Sequence, residues 1–232
     1  MGRGRTIAED RNALWETDAF GGRKGPCETD AFDGATPTPT VIITPEVERR
    51  MARVPYVTRE ELEPEHRDLI VSSLQPGKTR NVYASIANNP EVLSGLREFF
   101  GALWSDSGLT DRQRELVILT AASEIGSAYE WHQHVNIALD VGISAEEIAA
   151  IARDDRSPFS TSEAALIAYT RAVARGRVED PHHEAIAEFF DDGTVVGIAA
   201  TAASYAALGN LLDAFDVELE ADEEFVGWEP TQ

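Results

Sequence analysis

From about residue 58 onward, apolar residues recur along this chain at helical spacing, and polar residues fill the positions between them. Arg59–Ser72 predicts a first helix and Asn81–Ala87 a short second one. Asn89 stands as an N-cap before Pro90, opening a helix to about Trp104. Thr110, with Gln113 three residues on, reads as a capping box for a helix to about Ile125. Tyr129–Val141 follows and ends at Gly142. Ser144 and Glu147 form another capping box, for a helix over 145–153. From Thr161 to Arg175 the apolar positions are 165, 166, 169 and 173. Asp180 caps a helix with Pro181 at its first position, and Thr194–Phe215 is the last and most apolar helix. No Asn-Gly hairpin signal and no alternating run suggests strands. The pattern predicts an all-α fold.

Residues 1–50 break this pattern. They are rich in Gly, Thr and Pro, carry ATPTPT at 35–40, and repeat ETDAF at 16–20 and 28–32. No core-forming spacing occurs there, so the segment is expected to be a disordered extension. Met51 is a candidate native start, because the sequence from it reads like a natural beginning; a flexible genuine tail is the alternative. Residues 51–220 are expected to form one domain and 221–232 an acidic tail, with the acidic run Glu218–Glu224 solvated.

Composition narrows the function. The net charge is −21, from 41 acidic and 20 basic residues, and Lys24 and Lys78 are the only lysines. Such a field repels nucleic acid and anionic membrane surfaces. It fits adaptation to high salt, or simply an acidic protein. No apolar run is expected to cross a bilayer, and MGRGRTIAED offers no leader-like apolar stretch, so a cytoplasmic location is expected. Cys27 is the single cysteine, and one cysteine makes neither an intrachain disulfide nor a CxxC pair.

Two helices hold the candidate chemistry. Spacing puts Glu115, Ile118, Leu119 and Ala122 on one face, so a carboxylate stands in an apolar stripe and needs a partner. On the next helix Ser127, Glu130, Trp131, His134, Ala138 and Val141 share a face, and Glu130 and His134 form an i,i+4 pair. His132 is expected to point elsewhere. A desolvated carboxylate beside an imidazole suits proton transfer; the same pair also suits an ordinary inter-helix contact, and pattern alone does not decide. If the helices pack antiparallel across Gly126–Ala128, Glu115 approaches this pair. The His182-His183-Glu184 cluster reads as a solvated turn, and Glu130 and His134 lack a third ligand, so no metal and no cofactor are expected.

The stretch LTDRQRELVILTAASEIGSAYEWHQHVNIALDVGIS resembles the core of the carboxymuconolactone decarboxylase/AhpD-like family. RNVYASIANNPEVLSGLREFFGALW and GTVVGIAATAASYAALGNLLDAF fit it too, so the resemblance spans roughly 53–220. It implies an AhpD-like helical bundle. Redox members carry Glu, then Cys-x-x-Cys-x-x-x-His; this chain offers Glu115, then Ser127, Glu130 and His134. With both cysteines replaced, thiolate chemistry is removed and acid/base chemistry of the decarboxylase branch remains. The resemblance then implies a cofactor-independent lyase or isomerase on a small carboxylate or lactone. His134 would be general acid/base, Glu130 its partner or a second base, Glu115 the orienting carboxylate and Ser127 a hydrogen-bond donor. Trp131 would wall the pocket, with Tyr83, His132 and Asn210 as further pocket candidates. A non-catalytic oligomeric relative is the rival reading, and a peroxidase label would follow from family alone. The resemblance also implies a homo-oligomer, a trimer or hexamer, with Gly95–Trp104 and Thr194–Phe215 as contact surfaces.

Overall fold

In the computed structural model the described residues are 52–72 and 77–230. The expectations of a disordered 1–50 segment and a native start at Met51 lie outside the described residues. The rest is all-α: α1 (Asn81–Ile86), α2 (Pro90–Asp106), α3 (Asp111–Ile125), α4 (Ala128–Asp140), α5 (Ala145–Ala152), α6 (Thr161–Ala174), α7 (Asp180–Ala187) and α8 (Asp192–Phe215). Among the described residues the only β pairing is an isolated bridge between Val71 and Thr79.

Local chemistry sets the ends of these helices. Asn89 caps α2, accepting from the Val92 amide, and Pro90 occupies a position where the missing N–H costs nothing. Thr110–Gln113 and Ser144–Glu147 form reciprocal capping boxes on α3 and α5. Gly126 ends α3 at φ 72°, in the left-handed region that favours glycine. Two expectations shift. Arg59–Ser72 is not one helix but two short 3₁₀ segments, Arg59–Glu61 and Pro64–Ile70. Pro64 disfavours the α region at the preceding residue, and Glu63 is accordingly extended at ψ 148°. The cap of α7 is Glu179 rather than Asp180.

The core is organised around α3. Leu116, Val117, Ile118, Leu119, Ala121 and Ala122 are all at 0% exposure, so this helix is enclosed on every side and not along one stripe. α4, α6 and α8 pack against it. By length and composition α8 could cross a membrane, contrary to the expectation that no segment would; 56% of its apolar window is buried in the bundle, as in a core helix.

α8 approaches its neighbours closely through glycine. A Cβ built on Gly197 would sit 2.0 Å from the carbonyl oxygen of Ser107, at the C-terminal end of α2. That atom is backbone and cannot swing away. Gly197→Ala should therefore destabilise the protein by about 2 kcal/mol or more, as overpacking does. Ordinary helix propensity would favour the alanine by up to ~1 kcal/mol. Urea unfolding measures the sign, and an unchanged or raised midpoint would refute the close contact.

Candidate active site

The tight turn at Gly126–Ser127 reverses the chain, so α3 and α4 run antiparallel and bring Glu115 to His134. Glu115 Oε2 lies 2.8 Å from His134 Nδ1, and Glu130 Oε2 lies 3.8 Å from Nε2. The first distance is a hydrogen bond; the second is an ion-pair distance too long for one. All three side chains are buried. Nδ1 donating to Glu115 leaves Nε2 as the nitrogen that faces Glu130. Glu115 Oε1 has no hydrogen-bond partner among the described residues. Tyr205 meets the imidazole edge-on, 5.2 Å between centroids, and its hydroxyl accepts from Trp104 Nε1 at 3.1 Å.

Burial and charge move both titrating groups. Burial drives the Glu130 carboxyl upward and the Glu115 charge adds to this. His134 opposes them, and Glu130 settles at about 7. Burial pulls His134 down, but the charge and hydrogen bond of Glu115, with Glu130 behind them, outweigh it. The imidazole is raised above its ordinary value. Tyr205 is raised well above the usual phenol value by burial and then by Glu130, so its hydroxyl stays protonated.

Glu130 and His134 open onto a cavity of about 430 Å³, also lined by Tyr83, Tyr129, His132 and Tyr205. The volume falls within the range of small-ligand sites. Other sequence candidates lie elsewhere. Ser127 is the N-cap of α4, its hydroxyl accepting from the Glu130 amide at 3.4 Å, and it does not line the cavity. Trp131 is fully buried in the core, donating to the Gly227 carbonyl at 2.8 Å and packing on Trp228, rather than walling the pocket. Asn210 is exposed on α8. His132, expected on a different face from His134 but also a pocket candidate, does line the same cavity: its Nδ1 accepts from the Val226 amide and its Nε2 lies 3.5 Å from Glu223. His182 accepts from the Glu179 amide as part of the α7 cap.

The acidic C-terminal segment is not a solvated tail. Glu220 is buried, accepts from the Tyr129 hydroxyl at 2.8 Å, and lies 3.2 Å from Arg80 Nη1. Glu223 lines the cavity and binds Arg80, Lys78 and Gln133. Burial would raise Glu223, but Lys78, Gln133 and Arg80 outweigh it and hold the carboxyl at about 2. Sequence reading missed these residues because their partners are more than eighty positions distant. It missed Tyr205 because a tyrosine in an apolar helix reads as packing.

Residues 90–175 match the model of the carboxymuconolactone decarboxylase family. No curated protein matches the sequence. Among solved structures, an uncharacterized peroxidase-related protein from Ralstonia eutropha JMP134, with an alkylhydroperoxidase AhpD core, aligns at TM-score 0.67 and 20% identity. That alignment covers 78% of this chain and 98% of that chain. The apo debrominase Bmp8 aligns at TM-score 0.63 and 16% identity, over 75% of this chain and 94% of that chain. A peroxidase-related protein from Silicibacter sp. TM1040 aligns at TM-score 0.55 and 17% identity, over 63% and 79% respectively. At these identities the likeness is one of fold.

The raised Glu130 carboxyl has a consequence for stability. The fold binds its proton more tightly than the unfolded chain, whose ordinary value is 4.5. This contribution is full below about pH 4.5 and is lost as pH rises through about 7. Glu130→Gln should be nearly neutral at pH 4.5 and more stable than the parent at pH 8.5, by on the order of 3 kcal/mol. Thermal unfolding at both pH values checks this; a pH-independent difference would remove the assignment.

Proposed function

We propose that this chain, which belongs to the carboxymuconolactone decarboxylase/AhpD-like family, is a cofactor-independent acid/base enzyme, a lyase or isomerase acting on a small carboxylate or lactone. The observation that carries this reading is the imidazole of His134 held between two buried carboxylates at the wall of a ligand-sized cavity. Glu130, poised at about 7, is the base that takes a proton from carbon next to a carbonyl. The C–H bond breaks, its electron pair becomes an enolate, and the proton resides on Glu130. His134, whose protonated form the Glu115 charge and hydrogen bond favour, supports the developing oxyanion and returns a proton to carbon, after which the proton on Glu130 passes to the imidazole and restores the pair. Returning it at a different carbon gives an isomer. If a carboxylate leaves as CO₂ instead, the carbanion takes its proton from His134. Glu115 acts through the imidazole and is a positioning residue.

A thiol route has little to work with. Cys27 is the only cysteine of the chain, so a dithiol cannot form within it. The relation to peroxidases belongs to the structural neighbours and is not carried over to this chain.

Proton abstraction is measurable without knowing the natural substrate. Exchange of solvent deuterium into small unsaturated lactones such as α-angelica lactone, followed by NMR, should be catalysed. Its rate should rise with pH through about 7 as Glu130 ionises and fall as His134 loses its proton. Because the two groups face each other, both limbs belong to the pair. His134→Gln should lower the rate by roughly 10²-fold or more, the scale of general acid–base catalysis, and Glu130→Gln should also abolish the acid limb. Exchange unaffected by His134→Gln would end this assignment.

The chain is also proposed to form a homo-oligomer. Val92 and Phe99 on α2 are 55% and 49% exposed, and Val196 on α8 is 68% exposed. Light scattering should give a trimer or hexamer, and Phe99→Glu or Val196→Glu should reduce its mass. A monomeric parent protein would contradict the proposal.

A further inference from the structure

We infer that the cavity beside Glu130 and His134 takes an uncharged planar carbonyl compound and turns carboxylates away; this rests on the acid/base reading for its reactive end and narrows it to the lactone side. The charged groups lining the cavity, besides the two histidines, are Arg80, Glu130, Asp140 and Glu223. Arg80 is the one guanidinium in that lining, and it is already occupied: Nη1 lies 2.9 Å from Glu223 and 3.2 Å from Glu220. The Lys78 amine is bound to the same Glu223. The charge that His134 carries is met by Glu115 on one side and Glu130 on the other. Arg97 is not in the lining; its guanidinium stacks 4.4 Å from the centroid of the Tyr83 ring. A substrate carboxylate entering here would meet carboxylates and no unengaged cation among the lining residues, and burying an unpaired charge is costly.

The neutral features of the cavity point the same way. Tyr83, Phe100, Tyr129 and Tyr205, with Leu208 and Ile137, give broad flat apolar walls suited to a ring. The Tyr129 hydroxyl is spent, donating to Glu220 and accepting from the Val82 amide. The Tyr205 hydroxyl accepts from Trp104 and donates to no acceptor among the described residues. Its hydrogen is therefore available to a carbonyl oxygen beside His134. A neutral carbonyl gains such a donor without facing charge repulsion.

Benzamide and benzoate are nearly isosteric and differ in charge, so they isolate this preference. Binding to the full chain at pH 8 would be followed by shifts of the Tyr83 and Tyr205 ring resonances. Benzamide should bind at least tenfold more tightly than benzoate. Glu223→Gln removes one lining carboxylate and loosens Arg80, so the ratio of benzoate to benzamide affinity should rise several-fold. Asp140→Asn, at the exposed edge, should shift the ratio in the same direction without disturbing the Arg80 cluster. Benzoate binding as tightly as benzamide to the parent protein would overturn the inference, as would the absence of ring shifts with either probe. Only binding is read, so this result stands apart from any loss of exchange in His134→Gln.

Discussion

The hydrogen bond between Glu115 and His134 is the contact on which the site depends. Glu115 has no exposed surface and sits on the most enclosed helix of the bundle. A carboxylate there without a partner would be strongly disfavoured. Its partner must come from α4, and the turn at Gly126–Ser127 supplies the direction that allows it. Once Nδ1 is engaged, the ring has no freedom to choose which nitrogen meets the cavity. Nε2 faces Glu130, and the burial that makes Glu115 costly also lifts Glu130 to about 7. One constraint thus fixes the ring orientation, the site of the exchangeable proton and the basicity of the second carboxyl.

The wall opposite this pair is built differently. The segment after α8 has no regular structure, yet it is tied down through side chains: Glu220 to Tyr129, Glu223 to Gln133, the Gly227 carbonyl to Trp131, and the Val226 amide to His132. Three of these partners lie in consecutive positions, Trp131, His132 and Gln133, on α4. The opposite side of that helix carries Glu130 and His134 toward α3. α4 therefore has no solvent-facing role for most of its first three turns, which explains why so many of its polar residues are buried.

Helix existence was legible because caps and periodicity are local. Asn89, Thr110, Ser144 and Gly142 mark ends that the structure keeps within a residue or two. The meeting of Glu115 and His134 was legible too, since both stand in apolar stripes on neighbouring helices. What spacing could not supply was the neighbour of each remaining face. Trp131 shares a sequence face with His134 but packs on Trp228, and His132 reaches the cavity through Glu223. Both outcomes are set by the C-terminal segment, more than ninety residues away. Acidic residues there looked solvated because their counter-ions, Arg80 and Lys78, are still more distant in the chain.

The charge imbalance of the sequence then takes on a meaning inside the fold. With 41 acidic residues and 20 basic ones, cations are scarce, and several of the described ones join elements. Arg112 holds Glu147 of α5 and Glu163 of α6, Arg171 and Arg175 hold Glu124 of α3, and Arg80 and Lys78 hold the C-terminal segment. Arg80 and Glu220 are both buried; removing one partner from such a pair costs roughly 3–5 kcal/mol, so this guanidinium group is held in place. The cavity is left with groups that exchange protons near neutrality or donate neutral hydrogen bonds. A cavity whose one lining guanidinium is tied to Glu220 and Glu223 retains carboxyl, imidazole and phenol for chemistry, and that set moves protons more readily than it holds anions.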